Sequence, residues 1–151
     1  MNAPNFALIT GGSSGIGLAL AKMLASQGMD LCLLARDPSK LHAAQHDVEK
    51  NKTRPDQRIE TLSCDIRDFD ALSGELDLIT ETLGVPDLVI NSAGVTTPGY
   101  FQELDVATFH WLMDINYYGT VHILKLLTPG MIERGAGTIL NPSNLVFLYL
   151  G

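Results

Sequence analysis

The run Thr10-Gly11-Gly12-Ser13-Ser14-Gly15-Ile16-Gly17 follows directly on the apolar stretch Phe6-Ala7-Leu8-Ile9, and that order restricts the opening of the chain to a strand, a glycine turn and a helix start. Glycine has no Cβ, so such a turn can be tight and can let another molecule approach the backbone closely. The first amides of a helix have no intrahelical acceptor and, together with the helix dipole, favour negative charge. Strand, turn and helix in this order predict a docking point for the pyrophosphate of a dinucleotide. Ile16, Leu20, Met23 and Leu24 recur at helical spacing, and Gly28 is placed to close the helix at its C-cap. The competing reading is a glycine-rich loop that holds no ligand; the periodic helix behind the turn weighs against it.

Apolar runs suited to buried parallel strands recur at Phe6 to Thr10, Leu31 to Ala35, Ile59 to Ser63, Leu88 to Asn91 and Thr138 to Asn141. Helical patterns lie between them, near 16–27, 38–51, 68–83 and 103–130. Strands that alternate with helices imply right-handed crossovers, and so a doubly wound α/β domain: a parallel sheet, the Rossmann arrangement, with helices on both faces. Asp37-Pro38 opens the second helix, Gly84-Val85-Pro86 separates the third helix from the fourth strand, and Gly135-Ala136-Gly137 precedes the fifth strand. A length of 151 residues suits one domain whose core needs no metal or disulfide.

Lys and Arg number 10 against 17 Asp and Glu, a net charge of −7 with no basic cluster, which argues against a nucleic-acid partner. Cys32 and Cys64 are both read as sitting inside predicted strands, as buried thiols of a reducing compartment. The first five residues lack the basic start of a signal peptide, and no apolar run approaches the roughly 18 residues that span a bilayer. A soluble, cytoplasmic protein is expected, with peripheral membrane contact left open.

At the end of the second strand, where an NAD-binding fold places a carboxylate on the ribose 2′-hydroxyl, this chain has Ala35 and Arg36. A guanidinium there can pair with a 2′-phosphate, and Lys40, one helical turn on, adds a second cation, so the reading is NADP over NAD. Asp37 next to the slot reads as the N-cap of the helix that starts at Pro38. Asp65, just past the third strand, can accept a hydrogen bond from an adenine amino group. Asn91-Ser92-Ala93-Gly94 makes a small polar corner at the carboxyl edge of the sheet, where ligands of open α/β sheets bind. Singly, each of these also reads as ordinary turn chemistry. His42 and His46 share a helix face, but no third ligand accompanies them, and no metal site is expected. His110 and His122 read as packing or surface residues of the long fourth helix.

Taken together, Thr-Gly-x-x-x-Gly-x-Gly at 10–17, Asp65, Asn91-Ser-Ala-Gly and Asn116 within Ile115-Asn116-Tyr117 resemble the short-chain dehydrogenase/reductase family, over residues 6 to about 141. Leu34-Ala35-Arg36 with Lys40, and the segment Gly99 to Phe109, resemble more narrowly its reductases of 3-ketodihydrosphingosine. The resemblance implies hydride transfer from NADPH to the ketone of a long-chain lipid precursor. It implies that Gly11, Ser13, Ser14, Gly15 and Gly17 hold the pyrophosphate and nearby ribose, Arg36 and Lys40 the 2′-phosphate, and Asp65 the adenine. Asn91 would lie near the cofactor ribose, Ile16, Ile66, Ala93 and Gly94 would also belong to the cofactor site, and Asn116 would order the proton relay. The family's fourth helix, here near 103–130, joins a homodimer interface. The stripe Phe109, Leu112, Met113, Tyr117, Val121, Leu124 is too broad for one face of a surface helix, so part of it should face the sheet and part a partner helix.

The family's acid catalyst is a tyrosine whose pKa is lowered by a lysine four residues later. This chain has no Tyr-x-x-x-Lys: Val121 stands four after Tyr117, and His122 four after Tyr118. Asn144 falls where the family's substrate-orienting serine lies, with Ser143 one place early; in extended backbone a one-residue shift reverses a side chain's direction. From Pro142 the resemblance fails, and Leu145 to Leu150 form an apolar run. The chain therefore reads as a cofactor-binding domain over 1–141, truncated after the fifth strand, with an atypical apolar tail over 142–151 and the fifth strand left as an exposed edge. The rival reading is a catalytically inactive cofactor-binding or interaction module.

Overall fold

The computed structural model describes residues 5–142, so Ser143, Asn144 and the apolar run beyond them lie outside the described residues. Five parallel strands, β1 (Phe6–Thr10), β2 (Asp30–Ala35), β3 (Ile59–Ser63), β4 (Leu88–Asn91) and β5 (Thr138–Leu140), form one sheet in the order β3-β2-β1-β4-β5. The helices are α1 (Gly15–Ser26), α2 (Pro38–Glu49), α3 (Phe69–Leu83), α4 (Val106–Met113) and α5 (Gly119–Arg134), with a π-helical turn over Asp114–Tyr118 between the last two.

The alternation of strand side chains divides the core in two. Phe6, Leu8, Cys32, Leu34 and Val89 pack with Leu72, Leu76, Ile115, Ile123, Leu127 and Met131, which come from α3, the π-helical turn and α5. Ala7, Ile9, Leu31, Leu33 and Ile90 pack on the other face with Ala21, Leu24, Ala25, Leu41, Ala44 and Val48, from α1 and α2. Both faces of the sheet are covered, as parallel sheets require, and the doubly wound expectation holds. At the amino ends of the strands, the Asp87 carboxylate accepts from the Asn5 and Phe6 amides and pairs with Arg134.

Several local expectations are corrected. The buried face of α1 is Gly17, Ala21, Leu24 and Ala25, while Ile16 and Met23 are 63% and 47% exposed, because small residues let this helix lie close on β1. Gly28, at φ +86° one residue after the C-cap Gln27, does close the helix, its amide donating to the Ala25 carbonyl and that of Met29 to the Leu24 carbonyl. Cys64 lies one residue beyond β3, and β5 ends at Leu140, short of Asn141. Both cysteines are free and buried, and burial pushes the Cys32 thiol up to about 12.

The pattern near 103–130 is two helices joined by the π-helical turn, and Thr128-Pro129-Gly130 does not end the second of them. Gly130 instead lies against the Val85 side chain, and α5 continues to Gly135, which closes it at φ +73°. The sheet is met by Ile115, Gly119, Ile123, Leu127 and Met131, spaced four apart. No residue of the stripe Phe109, Leu112, Met113, Tyr117, Val121, Leu124 is fully buried: Met113 and Tyr117 are exposed and the other four half-buried. β5 is an edge strand whose three residues are exposed.

Candidate functional site

Strand order reverses at β1, with β2 on one side and β4 on the other, and the carboxyl ends of these strands open a crevice there. Two contacts fix its floor. The Ala93 amide donates to Thr10 Oγ1 at 3.0 Å, joining the loop after β4 to the end of β1. Gly11, at φ +67°, lies so close to that loop that a Cβ would sit 2.8 Å from the Ser92 carbonyl oxygen. A Cβ on Gly17 would collide with the Gly11 carbonyl, so the first turn of α1 rests directly on the turn before it. The glycines are thus required by backbone packing, and the same packing exposes the start of α1.

That start differs from those of α2, α3 and α4. Asp37, Asp68 and Asp105 each cap their helix by accepting a backbone amide, Asp37 from Ser39 and Lys40 at 2.9 and 3.1 Å. Ser14 precedes α1 in extended backbone with no side-chain hydrogen bond, and no acidic residue occupies the first turn. The amide donors of this turn therefore face a positive dipole end that no protein carboxylate neutralises, the condition for receiving an external anion.

The cleft admits water over about 200 Å³, and Gly11, Ser13, Ser14, Arg36, Lys40, Asp65, Ile66 and Ala93, all singled out by sequence, line it. Arg36 and Lys40 are exposed and form no ion pair among the described residues. Asp37 is the N-cap, as expected. Ile16 lies exposed at the start of α1 outside this lining, and Gly15, at φ +53°, has open space around it.

Sequence reasoning missed the partner of Asp65. Arg67 Nε lies 3.0 Å from both carboxylate oxygens, Nη2 donates at 2.6 Å, and the Arg67 amide donates at 3.0 Å. These bonds hold the Asp65 carboxyl below its usual range, against the opposing effect of burial, and the charge of Arg36 adds to the lowering. The signal was a cation two residues away in a turn. Cys64 and Ile115 also line the cleft, and burial followed by nearby carboxylates raises the Cys64 thiol.

Three asparagines, Asn91, Asn116 and Asn141, line one further hollow with Tyr117. Asn91 is 4% exposed; its amide donates to Asn141 Oδ1 at 2.8 Å, while its own Oδ1 has no partner among the described residues. The register places Asn141 there, because Ile90 faces Leu140 and the next residues along each chain are neighbours. Asn116, inside the π-helical turn, accepts from the Val95 amide at 2.8 Å and donates to the Val95 carbonyl at 2.9 Å. Its side chain thus fixes the loop after β4. His122 Nδ1 lies 2.7 Å from the Ile66 carbonyl and its ring meets Phe69 edge-on, the packing role expected of it.

A family model described as short chain dehydrogenase matches residues 5–146. Over 133 residues the chain is 37% identical to the 3-ketodihydrosphingosine reductase of Mus musculus, a match that takes in 87% of this chain and 40% of that protein. A metagenomic short-chain oxidoreductase solved in complex with NADP superposes with a TM-score of 0.84 at 30% identity, over 94% of this chain and 63% of the other. NAD+-bound xylitol dehydrogenase superposes equally well, with a TM-score of 0.84 at 28% identity, over 91% and 52% of the two chains. The chain spans about 40% of the length of the curated reductases it matches.

Proposed function

The chain belongs to the short-chain dehydrogenase family of oxidoreductases, and on that footing we propose that residues 1–141 form an NADP-binding domain and that the protein reduces a ketone, a long-chain keto-sphingoid base, with NADPH. One observation carries the coenzyme assignment: an uncapped, acid-free helix start opens onto the same cleft as Arg36 and Lys40, two cations without an ion-pair partner among the described residues. NAD carries no 2′-phosphate to use them. NADPH, when bound, supplies the hydride.

In this reading the residues divide the coenzyme between them. The α1 amides at Gly15, Ile16 and Gly17, with the Ser13 and Ser14 hydroxyls, donate to the pyrophosphate, and Gly11 and Gly17 let it come close. Arg36 meets the 2′-phosphate through a planar pair of N–H donors, and Lys40 adds a point charge. Asp65, oriented by Arg67, accepts from the adenine amino group, and Ile66 packs on the ring. Ala93 and Gly94 bound the ribose, and the unsatisfied Oδ1 of Asn91 is an acceptor suited to a ribose hydroxyl. Asn116 contributes by holding Val95, and hence the loop that ends this part of the cleft. Ser143 and Asn144 remain candidates for orienting the ketone carbonyl. The stripe left uncovered on α4 and α5, including Met113 and Tyr117 at 50% and 55% exposure, is the face of a homo-oligomer contact.

A second reading, a cofactor-binding or interaction module without catalysis, is supported by the absence of Tyr-x-x-x-Lys from the 151 residues. Two measurements decide. NADPH at about a hundred times its dissociation constant should stabilise the chain by about 2.7 kcal/mol; an unchanged melting temperature rejects coenzyme binding. NADPH oxidation with a long-chain β-keto amine above the no-enzyme rate rejects the non-catalytic module, and binding without turnover rejects catalysis by this chain.

A further inference from the structure

Four charged side chains line the cleft: Arg36 and Lys40 are cationic, Asp37 and Asp65 anionic. Their formal charges cancel, in a protein whose net charge is −7, so the lining by itself offers an incoming phosphate no excess of positive charge. The two carboxylates are handled differently. Asp37 is held by two amides at the positive end of α2, where the helix dipole offsets its charge. Asp65 lies on no helix start, and its charge acts on Arg36 in the same cleft. Left alone, it would offset that guanidinium and repel a phosphate placed beside it.

Arg67, which is not among the residues lining the cleft, reaches Asp65 from outside it and engages both carboxylate oxygens. We propose that Arg67 is a coenzyme-selecting residue that never touches the 2′-phosphate: by neutralising Asp65 it leaves Arg36 and Lys40 free to select NADPH over NADH. The inference rests on the NADPH reading above and adds to it a residue that acts through another, a positioning and charge-balancing role. The charge difference between the two coenzymes is confined to the 2′ position, so a change in the potential there moves the affinity for one and leaves the other nearly unaltered. A merely structural role for Arg67 would weaken both alike.

The test is a charge cycle read as the ratio of dissociation constants, NADH over NADPH, measured on the whole chain by coenzyme fluorescence at low salt. Arg67→Gln exposes the Asp65 charge and should lower the ratio about fivefold, a shift that shrinks at high ionic strength. Asp65→Asn leaves Arg67 unneutralised and should raise the ratio, and the double variant should return to within about twofold of the parent. The ratio cancels any loss of the adenine contact, which both coenzymes share. An Arg67→Gln ratio equal to the parent's, or a double variant that stays low, overturns the inference while parental NADPH binding leaves the coenzyme reading intact. Should Arg67→Gln not fold, Asp65→Asn decides alone, since a ratio that fails to rise rejects the proposal. Failure of the parent chain to bind NADPH rejects both.

Discussion

Single atoms decide whether the crevice exists. A Cβ at position 17 has no room beside the Gly11 carbonyl, so Gly17→Ala must push α1 off the turn. Overpacking of this kind costs about 1–3 kcal/mol, to be read as a lower midpoint in urea, together with loss of the NADPH-induced shift in melting temperature. The Asp65–Arg67 pair makes a prediction in pH. The folded-state carboxyl titrates below its ordinary 3.8, so the pair contributes stability at neutral pH and loses it as the pH falls through the folded value. Arg67→Gln should therefore melt below the parent at pH 7, and the two melting curves should converge as the pH drops under 3.8. At this scale the glycines, Arg36, Asp37 and Asp65 were legible, because turn chemistry and charge are local properties. The bonds from Asn116 to Val95 and from Arg67 to Asp65 were not, since each depends on how a turn or a helix is rotated, which composition does not record.

Elements with strong punctuation were read closely. Four of the five strands end where their sequence patterns end, and α2 begins at the proline after its Asp37 cap. Asp37→Ala should cost about 1 kcal/mol by removing the acceptor for two amides, measured as a drop in the urea midpoint with an unchanged slope. The region after residue 105 was misread for two physical reasons. A π-helical turn adds one residue to a helix and leaves no compositional mark, yet it rotates every later side chain by about 100°. The apolar stripe seen by counting in steps of three and four therefore splits away from the face that meets the sheet. The pattern near 103–130 also stops short of Arg134, the end of α5: Pro129 lies inside that helix, with the Thr128 hydroxyl donating to the Leu124 carbonyl at 2.6 Å one turn earlier.

The whole molecule shows what that rotation leaves uncovered. Met113, Tyr117 and Tyr118 are each at least half exposed, the two tyrosine rings standing edge to face 5.3 Å apart. If this face joins two copies, Tyr117→Glu should convert a dimer to a monomer in sedimentation velocity while the monomer's unfolding free energy in urea stays within about 0.5 kcal/mol of the parent. Among the described residues no helix is long and apolar enough to cross a membrane. The sheet order carries one more consequence, for the chain's synthesis. β1 is made first yet belongs in the middle, and its Ile9 waits for Ile90, about 80 residues further on. At ribosomal speed that is roughly ten seconds in which a strand of five buried residues has one flank bare. Until β4 is made that flank of β1 has no partner, and any β1-β2-β3 sheet formed in the interval presents an open border to a holdase or a neighbouring nascent chain.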